Sequence, residues 1–287
     1  MRSTNPVLSK SDAFSAAPQQ TQYPTQPYGA PGQYGQPGSW GAAPQQYPTQ
    51  QYPTQPGQPA GVMTIDDVIT KSAVTMGLLF LSAAATFLGF RLGIIPVGLL
   101  YPAMLVSGLV AFVAVMVVAV RRKINPAFVL GYSVLEGVFV GALSLLFESM
   151  FPGIVTQAVL ATFVAAGVTL AAYKFFRIKV TGTFRKVVTI STMALAAAYL
   201  VNLVVSLFGG NLGLVSIGSP SPLAMLVSAV AVVLAVLNLI LDFDYIEQGI
   251  RNRAPAAESW RAAFGLTVTM VWLYTEFLRI LSYFRSN

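Results

Sequence analysis

The side chains able to move protons or hold cations are few: ten carboxylates, 17 lysines and arginines and twelve tyrosines in 287 residues, with no histidine and no cysteine. Without histidine there is no Ser-His-Asp triad, no H-E-x-x-H zinc motif, no histidine haem ligand and no imidazole pH switch. Without cysteine, disulfides, thiolate zinc sites and cysteine nucleophiles are excluded. Proton-linked chemistry near neutral pH therefore falls to acids, bases or tyrosine, and the question becomes where the ten acids sit.

Asp12, Asp66, Asp67, Glu247 and Glu258 fall in segments expected to be aqueous, and Glu148 near an interface. The other four, Glu136, Asp242, Asp244 and Glu276, lie within or at the edge of long apolar runs. An ionised Asp at the centre of a membrane helix costs roughly 2.5–3.5 kcal/mol, so such acids are candidates for function by default. The plainer role is structural: a neutral carboxyl donating one hydrogen bond, or an acid paired with a neighbouring base. Glu136 precedes Gly137 and Gly141, a small-residue face that allows close approach of another helix and suggests a centrally packed third span with its carboxyl inward. Asp242 and Asp244 are two apart, so on a helix they point about 200° away from each other. Asp242 shares its face with Asn238, whereas Asp244 is expected to reach towards the cytoplasmic interface. Glu276 and Arg279 are three apart and can pair along one helix.

The elements that must position these groups follow from composition. Residues are 55% hydrophobic and only 9% charged, against about 25% charged in soluble proteins, which places the chain in the membrane class. Apolar runs long enough to cross a bilayer occur at about 72–90, 98–120, 127–147, 154–175, 187–208, 223–243 and 263–284. The expected fold is an all-α seven-transmembrane-helix bundle over 63–287. Before it, residues 1–62 read as a disordered Gln/Pro/Tyr-rich cytoplasmic tail. The first 60 residues hold eleven of the 18 prolines, twelve glutamines and only three charges, with Tyr-Pro-Thr-Gln recurring at 23–26, 47–50 and 52–55. No continuous apolar core follows Arg2 and Lys10, so this segment does not read as a signal peptide. An inside N-terminus puts 14 of the 17 basic residues in cytoplasmic segments, leaving Arg91, Arg279 and Arg285 outside or towards the outer end of the last helix. That predicts a multi-pass protein of the cell (plasma) membrane with its C-terminus outside. The net charge of +7 is then mainly a topology signal, and no nucleic-acid motif accompanies it.

Three short motifs, Leu135-Glu136-Gly137, Leu241-Asp242-Phe243-Asp244 and Leu273-Tyr274-Thr275-Glu276-Phe277, lie in the third, sixth and seventh spans. In order, depth and span number the chain resembles the bacterial branch of the Bax inhibitor-1/YccA family over roughly residues 63–287. The resemblance implies a pH-sensitive calcium leak channel gated by a carboxylate pair on the last two helices, here Asp242 and Glu276, with Asp244 and Glu136 in reserve. It also implies an alternative role in regulating a membrane protease or stress-linked partner, for which the tail would be a docking arm. The chain departs from the family in three ways. Its seventh-helix acid is Glu where Asp is usual, and the stretch including Arg251–Trp260 is longer. No Arg or Lys lies between Arg91 and Arg121 to act as a second-helix latch, so either Arg279 substitutes as the basic partner or the latch is missing.

Two carboxyls close together in low dielectric cannot both ionise cheaply and would share a proton. A hydrogen bond between Asp242 and Glu276 would then hold the sixth and seventh helices together, and losing the proton would drive them apart. Calcium takes six to eight oxygen ligands, so two carboxyls form a weak, transient site suited to conduction. No resident cofactor and no enzymatic activity are expected. An intramembrane aspartyl protease would need two facing carboxyls, but neither acid follows a Gly-x-Gly motif. The seventh span has no lysine for retinal, and no Gly-Lys-Ser/Thr loop serves a nucleotide.

Overall fold

The structure is a computed structural model and describes residues 61–121, 124–176, 178–210, 212–215 and 221–286. The expected disordered tail and the basic residues Arg122, Lys123 and Arg177 lie outside the described residues. Among the described residues, seven helices long and apolar enough to cross a membrane follow one another: α1 Ile65–Arg91, α2 Leu100–Val120, α3 Pro126–Met150, α4 Ile154–Phe175, α5 Gly182–Leu207, α6 Pro222–Arg251 and α7 Glu258–Arg285. A 3₁₀ turn, Val97–Leu99, leads into α2. Among the described residues there are no strands, only an isolated bridge between Val62 and Pro255.

Most helix starts, α2 and α7 excepted, are set by capping side chains that hydropathy alone does not register. Thr64 accepts from the Asp67 amide, and Asp66 and Asp67 place negative charge in the first turn of α1. Thr181 accepts from Phe184 N on α5, and Ser221 from Ala224 N on α6. Asn125 and Ser221 each precede a proline at the first helical position. At the start of α4 the cap comes from a distance: Glu148 accepts from Gly153 N at 2.6 Å and Val155 N at 3.2 Å. Gly153 there takes a positive φ of 81°, which favours glycine.

The seven apolar runs are all present; the fourth has the expected bounds, whereas the first, third, sixth and seventh extend outward at both ends. The sixth helix continues to Arg251 instead of stopping at 243, and the seventh begins at Glu258 instead of 263. Polar side chains sustain those extra turns, with Asp244 taking a 2.6 Å bond from Gln248 one turn later and Arg261 a 2.8 Å bridge to Glu258. The long link expected around Arg251–Trp260 shortens from both sides as α6 runs on to Arg251 and α7 starts at Glu258, and six residues, 252–257, join the two helices. This turn is fixed by Met63 N donating to Ala254 O and by Lys71, which donates to both Asp67 and Ala256 O.

α7 is the central helix, packed against α1, α3, α4 and α6. It is also the least hydropathic of the seven spans, as suits a helix that meets protein on most sides. The α1–α3 interface is the most extensive, and its closeness depends on two glycines. A Cβ on Gly137 would lie 2.6 Å from Leu79 O, and one on Gly141 would collide with Ala83 O. The small-residue face read from the sequence thus has α1 as its partner. α5 is the opposite case: its main packing is against α6, and among its described residues it buries only Val188 and Asn202.

Gly137→Val and Gly141→Val force the α1 backbone to shift and are expected to destabilise the bundle by about 1–3 kcal/mol each. Gly131→Ala, with nothing within 4 Å of the added Cβ, is the control. Melting in mild detergent should fall for the first two and hold or rise slightly for the third; equal melting for all would contradict the close-packing assignment.

Candidate functional site: a polar seam between α5, α6 and α7

The four acids go to three places. Glu136 is buried on α3, where it faces Tyr132 one turn earlier, and the Tyr132 ring meets Phe264 of α7 at 4.7 Å. Asp242 points at α7: its Oδ2 accepts from Thr269 Oγ1 at 2.6 Å, and its Oδ1 lies over Gly265. Asp244 points at α5, where Arg185 Nη2 approaches to 2.7 Å. The opposed directions of Asp242 and Asp244 follow the helical spacing. Asp244 is nonetheless buried in an ion pair and not simply presented to an interface.

Glu276 is fully buried, and its Oε1 gathers three donors. Arg279 Nη2 lies 3.0 Å away, Tyr199 Oη of α5 3.1 Å and Trp272 Nε1 3.3 Å. Arg279 also donates to Tyr199 Oη at 3.0 Å, with its guanidinium 5.0 Å from the centre of the Tyr199 ring. Each group has a consistent part: arginine donates twice, tyrosine accepts one bond and donates one, and the carboxylate accepts. Ser228 of α6 faces the same carboxyl, and Ser228 Oγ and Glu276 Oε2 are both buried with no other partner. These two adjoining buried polar atoms form a spot that can hold a proton between them.

Asp242 and Glu276 therefore do not share a hydrogen bond here. Thr269, which binds Asp242, and Glu276 are seven residues apart on α7, two turns or about 10 Å along the axis. The physical reason is that each acid has a better partner: a hydroxyl for Asp242, a guanidinium and a phenol for Glu276. Nor does a polar stripe run from Asn238 to Asp242. Asn238 Nδ2 turns to Thr192 Oγ1 of α5 at 2.7 Å. Among the described residues no cluster of three acids could hold a metal ion, and in this conformation the two carboxyls do not form a joint calcium site.

What the sequence did not reveal is the contribution of α5. Arg185, Thr192 and Tyr199 are spaced by seven, a rise of about 10 Å each, and each reaches across to a polar partner: Asp244, Asn238, and Glu276 with Arg279. The three recur at every seventh position, but Lys186, Thr189, Ser191, Asn202 and Ser206 interrupt the same helix, so the spacing does not stand out from the sequence. Helices in lipid gain little from burying apolar surface against each other, whereas interhelical hydrogen bonds contribute about 0.6–2 kcal/mol each. Three clasps and little apolar packing hold α5 to the bundle.

Residues 5–286 match the family model described as Bax inhibitor 1 like. The chain belongs to that family. The match begins at residue 5, so it takes in the Gln/Pro/Tyr-rich segment that the resemblance had seemed to leave out. No curated protein matches the chain. Family membership accounts for a multi-pass membrane protein; the geometry of the Glu276 cluster comes from this chain's own residues.

Breaking the buried pair from one side leaves the other charge uncompensated and is expected to cost about 3–5 kcal/mol. Arg279→Met should therefore lower the melting temperature sharply, Tyr199→Phe less. The double variant Glu276→Gln with Arg279→Met should recover much of the loss. A double-mutant cycle in which the two changes simply add would show that the pair is not coupled.

Proposed function

We propose that this Bax inhibitor 1-like protein is a pH-sensitive cation leak channel, passing calcium along the seam between α5, α6 and α7. It acts without enzymatic chemistry or a resident cofactor, and calcium is its cargo. The observation that carries the reading is the buried Glu276–Arg279–Tyr199 cluster, which ties the least packed helix to the central one. The distribution of described basic residues supports an N-terminus in the cytoplasm. Lys71, Arg121, Arg185, Arg251 and Arg261 lie towards one end of the bundle, Arg91 and Arg285 at the other. On that orientation Asp244 with Arg185 guards the inner mouth, Asp242 with Thr269 lies about 3 Å deeper in the inner half, and Glu276 occupies the outer half.

The sign of the switch follows from the ion pair. Ionised Glu276 neutralises Arg279, and both hold Tyr199, so the ionised state is the clasped one. Protonating Glu276 leaves Arg279 with an unmatched charge in low dielectric and weakens the bond from Tyr199, which favours departure of α5 and opening of the seam. This reverses the sense of a shared-proton pair, in which the protonated state would be the closed one.

Calcium entry into proteoliposomes holding the full chain should rise as the pH falls. Glu276→Gln should leak more at neutral pH and lose most of its pH response, and Asp242→Asn should lower the flux at every pH. Absence of calcium entry, or entry indifferent to both substitutions, would sink the proposal.

A further inference from the structure

A cavity of about 380 Å³ lies in a different part of the bundle, walled by α1, α3, α4 and α7. α1 and α4 each pack on α7, but not extensively on each other. They meet at the stacked rings of Phe80 and Phe163, 5.9 Å apart. The wedge left between them opens sideways past Phe80, Ala84, Leu88 and Phe163, all exposed. It reaches inward to Val140, Gly141 and Val271.

Its wall excludes polar occupants. The hydroxyls lining it are already bonded: Ser144 to Val140 O and Tyr274 Oη, Thr162 to Ala158 O, and Thr267 to Ala263 O and Thr75. None of the four intramembrane acids lines the space. A dry apolar cavity of about 150 Å³ suffices to bind benzene, and this one is more than twice that size. Its mouth lies on the flanks of spanning helices, where the surrounding medium is hydrocarbon. A headgroup would find no partner in it.

We propose that this wedge is a binding site for one acyl chain of a bilayer phospholipid, inserted sideways between α1 and α4. The chain takes the place of direct α1–α4 packing and seals Gly141 and Val271 from the side. The site is independent of the cation path, since it shares no residue with the α5–α6–α7 seam.

The test uses the full-length protein in nanodiscs of phosphatidylcholine and phosphatidylglycerol, doped with phosphatidylcholine bearing a diazirine midway along one acyl chain. After photolysis, labelled positions are mapped by mass spectrometry. Labelling is expected at the buried Val140 and Val271 as well as at outward residues such as Leu81 and Val164. Ala84→Trp at the mouth, and separately Val159→Phe inside, should abolish labelling of Val140 and Val271 and leave Leu81 and Val164 labelled. The outward labels report that each variant is folded and inserted. The wild-type protein alone is decisive if Val140 and Val271 stay unlabelled, which overturns the site. Persistence of deep labels in both variants also overturns it. Deep labelling by a free diazirine fatty acid but not by the phospholipid would overturn the choice of occupant.

Discussion

An arginine and a glutamate inside a hydrocarbon layer must find each other or not be there at all, and that requirement organises one side of this bundle. Glu276 is fully buried, and its charge is tolerable only because Arg279, one turn away, supplies the opposite one at 3.0 Å. Once the pair exists, its remaining donors and acceptors need partners as well. Tyr199 meets that need from α5 and Trp272 from within α7. A helix with almost no apolar packing is thereby recruited to the bundle by electrostatics.

The other side is organised by shape. Gly137 and Gly141 let α3 lie against the α1 backbone, and α7 runs through the middle because its Ser, Thr, Ala and Gly side chains permit neighbours on several faces. Between these regimes the bundle has a firm half, α1 with α3 and α7, and a loosely packed helix, α5, attached by polar bonds. An opening motion would follow the weaker attachment. The acyl-chain wedge lies on the firm side, where the occupant fills space instead of switching anything.

Much of this was legible in the residues. The seven spans, the sorting of basic residues, the Glu276–Arg279 pair and the glycine face of α3 all depend on local spacing, which sequence displays directly. Helix ends were less legible because caps such as Thr64 and Ser221 and polar turns such as Asp244–Gln248 extend helices beyond their apolar runs. The partnership of Asp242 with Thr269, not with Glu276, was hidden for a different reason. Which residues on two antiparallel helices stand at equal depth depends on the loop between them, and a six-residue turn places Asp242 beside Gly265 and Thr269. The role of Tyr199 is a long-range contact that no local pattern on α5 announces.

The absence of cysteine, which excluded thiol chemistry at the outset, makes the central claim directly measurable. Spin labels on cysteines introduced at the exposed Val204 of α5 and Phe284 of α7 would report the separation of those helix ends without interference from native thiols. Pulsed electron–electron distance measurements in nanodiscs should give one narrow distribution at neutral pH. On acidification it should move to longer, broader separations, and Glu276→Gln should show the longer population already at neutral pH. A distribution that stays narrow and fixed across pH and in Glu276→Gln would contradict the claim that the Glu276–Arg279–Tyr199 cluster clasps α5 to the bundle.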